Sequence, residues 1–211
     1  MAKLGRFITF EGGEGTGKST QAKRLLARLE AKNIPCILTR EPGGSPGAEE
    51  IRGLLLQGDP GRWEPLTEAL LFYAARADHT DRTIKPALAA GKWVICDRYS
   101  DSSYAYQGGG RGLNRETVRR IEAIAIGDFK PQLTLILDQD PEIGLARVAS
   151  RTHKETRFEE FDLEFHRRMR KSFLDIARRA PERCAVIDAS LDVDTVEEAV
   201  FQLLKTRMRI K

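Results

Sequence analysis

The fold is decided by the stretch Gly12-Gly13-Glu14-Gly15-Thr16-Gly17-Lys18-Ser19, which matches the pattern G-x-x-x-x-G-K-[ST] over residues 12–19. The pattern is meaningful between a strand and a helix, and here the apolar run Arg6–Glu11 precedes it and an amphipathic stretch follows. Glycines let successive backbone N–H groups turn inward around an anion, and the start of a helix adds unpaired N–H donors. The sequence therefore predicts a phosphate-binding loop (P-loop).

Two side chains of this loop are suited to a nucleoside triphosphate. We expect Lys18 to bring positive charge to the β- and γ-phosphates, and the Ser19 hydroxyl to coordinate Mg²⁺. GTPases, motors and kinases all share such a loop, so other residues must identify the reaction. The predicted contacts of the donor nucleotide, ATP, are Gly12, Gly13, Glu14, Gly15, Thr16, Gly17, Lys18, Ser19 and Thr20.

Short apolar runs alternate with long amphipathic stretches along the chain, which is typical of parallel strands joined by crossover helices. We predict a single α/β domain over residues 1–211 with the three-layer P-loop NTPase fold, in which helices flank a five-stranded parallel sheet. The runs rich in Ile, Val, Leu and Phe predict strands at Arg6–Glu11, Pro35–Arg40, Lys92–Asp97, Gln132–Asp138 and Arg183–Asp188.

The segments between the strands predict helices. The first helix opens after the P-loop and extends to about Lys32. The long loops follow the carboxyl ends of the strands, the edge where ligands bind in an open α/β sheet. The other predicted helices are Ala48–Gln57, Leu66–Ala90, Arg115–Gly127, Pro141–Ser150, Glu159–Ala180 and Val193–Arg209.

Composition narrows the classes of protein. The net charge of +4 suits an anionic partner without choosing its kind. No stretch approaches the ~18 apolar residues of a membrane span, so we expect neither secretion nor a membrane anchor. The three cysteines form no C-x-x-C pair and lie in or beside apolar runs, which favours buried thiols and a cytoplasmic setting.

A second motif, Asp97-Arg98-Tyr99, follows the apolar strand that ends in Trp93-Val94-Ile95-Cys96. A carboxylate at this strand end can orient Mg²⁺ or receive a proton from an acceptor, and the adjacent Arg98 can bind a second phosphate. Asp138 is an alternative acidic strand end. We favour Asp97 because polar and aromatic residues follow it directly.

Four segments together resemble thymidylate kinase in its bacterial form. They are Phe10–Thr20, Thr39–Gly44 (Thr-Arg-Glu-Pro-Gly-Gly), Phe72–Arg76 (Phe-Tyr-Ala-Ala-Arg) and Asp97–Arg111. The rhythm of strands and helices between them fits as well, and no Asn-Lys-x-Asp string for guanine is present. The resemblance implies that the chain transfers the γ-phosphate of ATP to dTMP, giving dTDP for dTTP synthesis.

The resemblance also implies residue roles on the acceptor side. Phe72 should stack on the thymine ring, Arg76 should bind a base carbonyl, and Arg98 should pair with the dTMP phosphate. Tyr106 should pack where a ribose 2′-hydroxyl would lie, and Glu14 should accept the 3′-hydroxyl. The remaining implied acceptor residues are Arg40, Glu41, Pro42, Arg52, Ser102, Ser103 and Gln107.

An acid inside an anion-binding loop is a local conflict, because Glu14 repels the phosphate that the loop holds. Such conflicts between local and global preference are typical of functional positions. This position therefore favours a functional role for Glu14 independently of the resemblance.

Phosphoryl transfer between two anions needs positive charge at the transferring group. No basic residue lies between Glu11 and Gly17, so the charge must come from elsewhere. The segment of residues 147–160 resembles the lid of the bacterial enzymes, which carries the catalytic arginine. Arg151 is the first candidate and Arg157 the second, while Arg147 is placed to flank the adenine.

Two rival functions remain open. Another nucleoside monophosphate kinase or deoxynucleoside kinase would share the fold and differ only in the acceptor pocket. A P-loop ATPase could instead bind nucleic acid through the basic stretch Arg147–Arg183, but this stretch shows no series of base-stacking aromatics. We expect small-molecule substrates, no nucleic acid and, from the resemblance, a homodimer.

Overall fold

Five parallel strands form the central sheet of the computed structural model, which describes residues 5–150 and 156–210. Each strand begins one residue later than predicted and ends at the predicted residue. The strands are β1 (Phe7–Glu11), β2 (Cys36–Arg40), β3 (Trp93–Asp97), β4 (Leu133–Asp138) and β5 (Cys184–Asp188). Their order in the sheet is β2-β3-β1-β4-β5. The predicted parallel α/β fold is confirmed.

Helices connect the strands at each crossover. Single 3₁₀ turns lie at Pro60–Arg62 and Thr156–Phe158, and π-helical turns at Thr80–Ile84 and Tyr104–Gly110. The helices are α1 (Lys18–Glu30), α2 (Pro46–Leu56), α3 (Pro65–His79), α4 (Lys85–Ala89), α5 (Ser100–Ser103), α6 (Arg115–Ala125), α7 (Pro141–Ala149), α8 (Leu163–Arg179) and α9 (Val193–Met208).

The prediction of one uninterrupted α-helix over Leu66–Ala90 is wrong in its middle. The N–H of Lys85 donates to the carbonyl of Thr80, five residues earlier, and this widened turn ends just before Pro86. Proline lacks an N–H, and its ring clashes with the carbonyl four residues before it in a regular helix. The π-turn gives that ring room while the chain keeps its direction.

The sequence analysis did not predict the helical segment of α5 and the following π-turn. Its run of serines and glycines has low intrinsic helix propensity. Contacts from α8 stabilise it instead, since Arg168 donates to the carbonyl of Gly110 at 2.9 Å and Ser172 donates to that of Tyr104 at 3.2 Å. Tertiary packing therefore overrides the local preference here.

The core lies in two layers, one on each face of the sheet. On one face, α1 and α9 pack against β1 and β4, with Leu25, Val200 and Leu204 buried in the same cluster. On the other face, α3, α6 and α8 pack around Tyr73 and Phe165. All five residues of β1 are buried, as expected for a central strand covered by helices on both sides.

The register of the strands brings the motif-bearing loops to one edge of the sheet. Asp97 at the end of β3 is paired with Phe10 of β1 on one side and with Arg40 of β2 on the other. The P-loop, the loop after Arg40 and the Asp97-Arg98 pair therefore start side by side. Within the described part of the chain, no helix is both long and apolar enough to cross a membrane.

The P-loop is packed against α7 through two glycines that allow a close approach. A Cβ on Gly15 would lie 2.0 Å from the carbonyl oxygen of Gly144, and a Cβ on Gly144 would lie 2.2 Å from the carbonyl oxygen of Glu14. Either distance is far below van der Waals contact. The absence of side chains at both positions thus lets α7 support the loop from behind.

Candidate active site

The P-loop joins β1 to α1 and has the backbone shape that the motif predicts. Gly12, Gly15 and Gly17 have positive φ angles of 132°, 68° and 87°. The ammonium of Lys18 folds back across the loop and donates to the carbonyl of Gly13 at 2.5 Å. The loop residues and the first turn of α1 therefore surround one centre of positive charge.

The surroundings of Lys18 disfavour its charged form. Burial lowers the pKa of Lys18, and the nearby guanidinium of Arg98 lowers it further, to about 8. Two cations kept close together in a partly buried place favour an anion between them. The electrostatics thus fit a phosphate-binding role for the loop.

A pair of oxygen ligands lies beside the loop. The Ser19 hydroxyl donates to Oδ2 of Asp97, and the buried Oδ1 of Asp97 has no hydrogen-bond partner among the described residues. In the described ranges there is no group of three or more His, Cys, Asp or Glu residues that could hold a metal ion alone. One carboxylate, one hydroxyl and the oxygens of a bound phosphate are the donor set that Mg²⁺ uses in nucleotide sites. These residues fit Mg²⁺.

Arg98 links the P-loop to β3. Its guanidinium donates to the carbonyl of Gly12 and to the carboxylate of Glu14, both at 2.9 Å, and lies 4.9 Å from the centre of the Tyr106 ring. The backbone of Arg98 has a φ of 71°, in the left-handed region that residues with a side chain seldom adopt. Such strain is typical of functional sites.

Glu14 is held as a carboxylate by its neighbours. Burial alone would raise the pKa of Glu14, but Arg98 and Lys18 outweigh that effect and lower the pKa to about 2. The Tyr106 hydroxyl also donates to the same carboxylate, at 2.6 Å. The acid in the P-loop is therefore neutralised in place and does not repel the phosphate site unopposed.

A cleft of about 600 Å³ extends from the P-loop over the carboxyl ends of β1 to β3. Its volume lies within the usual range for small-molecule sites. The residues that line it include most of the predicted ones: Glu14, Gly15, Gly17, Lys18, Ser19, Thr20, Arg40, Glu41, Pro42, Arg52, Phe72, Asp97, Arg98, Ser102, Ser103, Tyr106 and Gln107. Gly12, Gly13 and Thr16 line a smaller cavity of about 20 Å³ behind the loop.

Aromatic rings form the wall of this cleft opposite the sheet. The ring of Phe158 lies 5.8 Å from that of Phe72 and 5.6 Å from that of Tyr106, measured between centroids. The sequence analysis missed Phe158 together with Leu56 and Glu159, which also line the cleft. The only available signal was the position of Phe158 within the predicted lid segment, and an isolated Phe there does not differ from a core residue.

Two further predicted site residues, Arg76 and Arg157, line neither the cleft nor the smaller cavity. Arg76 is 1% exposed and donates to Glu41 at 2.7 Å, to Ser103 at 2.9 Å and to the carbonyl of Tyr99 at 3.0 Å. It therefore lies beneath the cleft and reaches it through Ser103.

Arg157 is fully buried, and its hydrogen-bond partners lie on α2, on α3 and in the segment between these helices. Its guanidinium donates to Glu68 at 2.5 Å and to the carbonyls of Leu55, Asp59 and Pro60 at 3.0–3.1 Å. This conformation does not support the expectation that Arg157 is a lid arginine at the transferring phosphate. Arg151, the first candidate, lies outside the described residues. Arg147 donates to Gln139 at 2.7 Å and to the carbonyl of Ala189 at 3.3 Å.

Glu11 is a buried acid of the site that sequence reasoning treated only as a strand end. Its carboxylate accepts from the N–H of Tyr99 at 2.8 Å and from the Ser102 hydroxyl at 2.6 Å. Burial and the nearby charge of Asp101 raise the pKa of Glu11 to about 8. The signal was present in the sequence, since an acid at the end of a largely apolar, buried strand must face a polar partner.

A P-loop, a metal-compatible carboxylate and a cleft that continues from the loop to Arg98 and Phe72 are together typical of a P-loop phosphotransferase that acts on a small phosphorylated acceptor. Comparison with known proteins narrows this class. The family model of thymidylate kinase matches residues 10–200. The chain belongs to the thymidylate kinase family, as the four sequence segments predict.

Individual relatives cover nearly the whole chain. The thymidylate kinase of Ruegeria pomeroyi is 52% identical over 208 residues, which are 99% of this chain and 98% of the relative. That of Caulobacter vibrioides is 51% identical over 204 residues, or 97% and 98% of the two chains. The crystal structure of thymidylate kinase from Ehrlichia chaffeensis matches with a TM-score of 0.77 at 36% identity and covers 96% of this chain and 99% of that chain.

Replacing Tyr106 with Phe keeps the aromatic ring and removes the hydroxyl that donates to Glu14. We expect the pKa of Glu14 to rise above about 2, because a bond that favours the carboxylate is lost. In the wild type this carboxylate contributes stability above its ordinary pKa of 4.5, and the contribution disappears as the pH falls through about 2. In Tyr106→Phe it should disappear at a higher pH. Carboxyl ¹³C NMR titration measures the pKa.

The same substitution should lower the free energy of unfolding near neutral pH by about 2 kcal/mol, as measured by urea denaturation. Tyr104→Phe is the matched control, because the Tyr104 hydroxyl donates to Glu122 at 2.6 Å and touches no residue of the P-loop. It should leave the titration of Glu14 unchanged. An unaltered Glu14 pKa in Tyr106→Phe would contradict the role given to this hydroxyl.

Proposed function

We propose that the chain transfers the γ-phosphate of ATP to dTMP, giving dTDP, and that residues 1–211 form one catalytic domain. One observation carries the proposal: Lys18 and Ser19 of the P-loop line the same cleft as Arg98 and Phe72. Donor and acceptor phosphates can therefore meet inside one cleft. Membership of the family supplies the identity of the two nucleotides.

On the acceptor side, we assign the dTMP phosphate to Arg98 and the thymine ring to the face of Phe72. The half-buried Phe72 at the cleft wall supports stacking, because an aromatic face suits a planar base. Tyr106 closes the pocket beside the sugar, and its bond to Glu14 leaves that carboxylate oriented for the 3′-hydroxyl. The position of a 2′-hydroxyl would be crowded by the Tyr106 ring, which favours deoxynucleotides.

We assign recognition of the edge of the base to polar side chains on the floor of the cleft. Ser103 and Gln107 line the floor, and Arg76 supports Ser103 by donating to its hydroxyl. Gln107 is itself held by Glu68 at 2.8 Å, so its amide orientation is fixed before the base arrives. The other predicted acceptor contacts, which lie at the same cleft, are Arg40, Glu41, Pro42, Arg52 and Ser102.

On the donor side, the triphosphate lies on Gly12–Thr20, with Lys18 at its β- and γ-phosphates. Ser19 and Asp97 would hold Mg²⁺, which when bound neutralises charge on the phosphate oxygens. Asp97 also lies next to Arg98 in the chain. Because Asp97 would hold the metal and Arg98 the dTMP phosphate, these two residues direct an oxygen of the acceptor phosphate at the γ-phosphate. Transfer is in line, and no residue forms a covalent intermediate.

The positive charge for the transferring phosphate comes from the lid, residues 147–160, and we assign it to Arg151. The burial of Arg157 supports this order of preference, since its ion pair with Glu68 holds it at the base of the lid. A closed lid also excludes water from the reacting groups and so limits hydrolysis of ATP.

Alanine variants of the two arginines distinguish these roles. Arg151→Ala should lower kcat by about 10³-fold or more, because charge at the transferring group is lost. Arg157→Ala should lower the free energy of unfolding by about 2–3 kcal/mol, because Glu68 loses one of its two ion-pair partners and keeps the other, Arg111. Steady-state kinetics and denaturation measure the two effects. If both variants kept a near-normal kcat, the assignment of the lid would be wrong.

The function is tested by measuring ADP release from ATP with one acceptor at a time and confirming each product. We expect rapid transfer to dTMP and little to UMP, CMP, AMP, GMP or thymidine. The ratio of dTMP to dUMP turnover measures how strictly the pocket reads the base. Absence of transfer to every monophosphate, with ATPase activity that rises with DNA or RNA, would favour the nucleic-acid alternative.

We also assign a homodimer to the chain. Exposed apolar side chains on three packed helices support it: Leu54 on α2, Leu66 and Leu70 on α3, and Ile124 on α6, which is 89% exposed. Sedimentation equilibrium tests this assembly. The three free cysteine thiols support a reducing compartment such as the cytoplasm, which cell fractionation tests.

A further inference from the structure

A chain of hydrogen bonds runs beneath the acceptor pocket, from the end of β2 to α5. The Thr39 hydroxyl lies 2.7 Å from Nε2 of His79, and Nδ1 of His79 lies 3.0 Å from Oε1 of Glu41. Oε2 of the same carboxylate accepts from Nε of Arg76 at 2.7 Å, and Nη1 of Arg76 donates to Ser103 at 2.9 Å. Only the last of these residues, Ser103, and Glu41 line the cleft.

The middle of this chain is almost completely shielded from water. His79 is 0%, Arg76 1% and Glu41 6% exposed. A carboxylate can only accept hydrogen bonds, so Nδ1 of His79 must donate to Glu41, and in the neutral ring Nε2 accepts from the Thr39 hydroxyl. Each oxygen of Glu41 thus has its own donor, and neither oxygen can turn toward the cleft without leaving a buried donor unpaired.

The loop after β2 is shaped around His79. Gly44 has a φ of 88°, and a Cβ at this position would lie 2.4 Å from Nε2 of His79 and 2.5 Å from the Thr39 hydroxyl oxygen. Thr83 fixes the same turn by donating to the carbonyl of Gly44 at 2.7 Å. The glycine leaves room for the bond between Thr39 and His79, so the loop and the histidine form one unit.

We propose that His79 and Glu41 are positioning residues: they hold the guanidinium of Arg76 against Ser103, and so orient the hydroxyl that meets the carbonyl edge of a pyrimidine base in the cleft. This inference rests on the proposed function and adds two residues to the recognition of dTMP. Arginine has many side-chain conformers, and a fixed Nε contact holds the planar guanidinium in one of them. Nε donates to Glu41, Nη2 to the carbonyl of Tyr99 and Nη1 to Ser103, so the guanidinium acts on the base through the Ser103 hydroxyl.

Two substitutions of one residue separate positioning from general stability. In His79→Asn, the amide N–H₂ lies near the position of Nδ1 and can still donate to Glu41. In His79→Gln, the longer side chain places its amide near Nε2, so Oε1 of Glu41 loses its donor, while Oε2 keeps its bond to Arg76. The measurements are KM for dTMP, KM for ATP, kcat, and the preference for dTMP over dCMP, whose base carries an amino group in place of the carbonyl.

We expect His79→Gln to raise KM for dTMP by about tenfold, the effect of one lost hydrogen bond to a charged group. The preference for dTMP over dCMP should fall with it, while KM for ATP changes by less than about twofold. His79→Asn should raise KM for dTMP several-fold less than His79→Gln. Glu41→Gln keeps the size of the side chain and should repeat the pattern of His79→Gln, which decides the matter if the latter does not fold.

Three results would overturn the inference while the proposed function stands. The first is an unchanged KM for dTMP in both folded variants, His79→Gln and Glu41→Gln. The second is an equal effect of His79→Asn and His79→Gln on KM for dTMP. The third is a parallel rise of KM for dTMP and KM for ATP, which indicates a merely structural role. A wild-type protein that transfers no phosphate to dTMP would overturn the proposed function and this inference together. Circular dichroism and thermal unfolding confirm that each variant is folded.

Discussion

The ion pair between Arg98 and Glu14 is the contact on which the rest of the site depends. It joins the P-loop to the end of β3, and so joins the place of the donor to the wall of the acceptor pocket. Arg98 can serve both sides only because its strained backbone turns the side chain back over the loop. The hydroxyl of Tyr106 completes the arrangement and brings the aromatic wall into the same network. The contacts among Arg98, Glu14 and Tyr106 thus neutralise the buried charges, shape the pocket and fix the P-loop at the same time.

Much of this structure could be predicted from the sequence, because its signals are local. The P-loop is a contiguous motif, and the strands are apolar runs whose ends carry the polar residues of the site. Asp97 and Arg98 were accessible to the same reasoning, since their position follows from the end of a strand. Resemblance to a family added Phe72 and Tyr106, which the residues alone would assign to the core.

The rest could not be predicted, because it depends on contacts between distant segments. Nothing near Arg157 in the sequence indicates that Glu68 and three backbone carbonyls bury its guanidinium. The helical segment at Ser100–Gly110 forms through packing on α8 against its own propensity. The π-turn before Pro86 relieves the clash between the proline ring and the preceding helical turn, and the pattern of apolar residues does not indicate this clash. In each case tertiary structure outweighs local preference.

The contact between Gly15 and Gly144 makes the shape of the P-loop depend on a residue outside its sequence motif. The sequence motif of the loop ends at Ser19. The backbone of the loop nevertheless keeps its shape only because Gly144 of α7 carries no side chain. From Gly144 the same helix continues for five residues to Ala149, about 7.5 Å, and its last residues belong to the segment that we propose as the lid. The close approach at Gly144 therefore ties the position of α7 to the shape of the nucleotide cradle, so that a displacement of this helix would deform the loop.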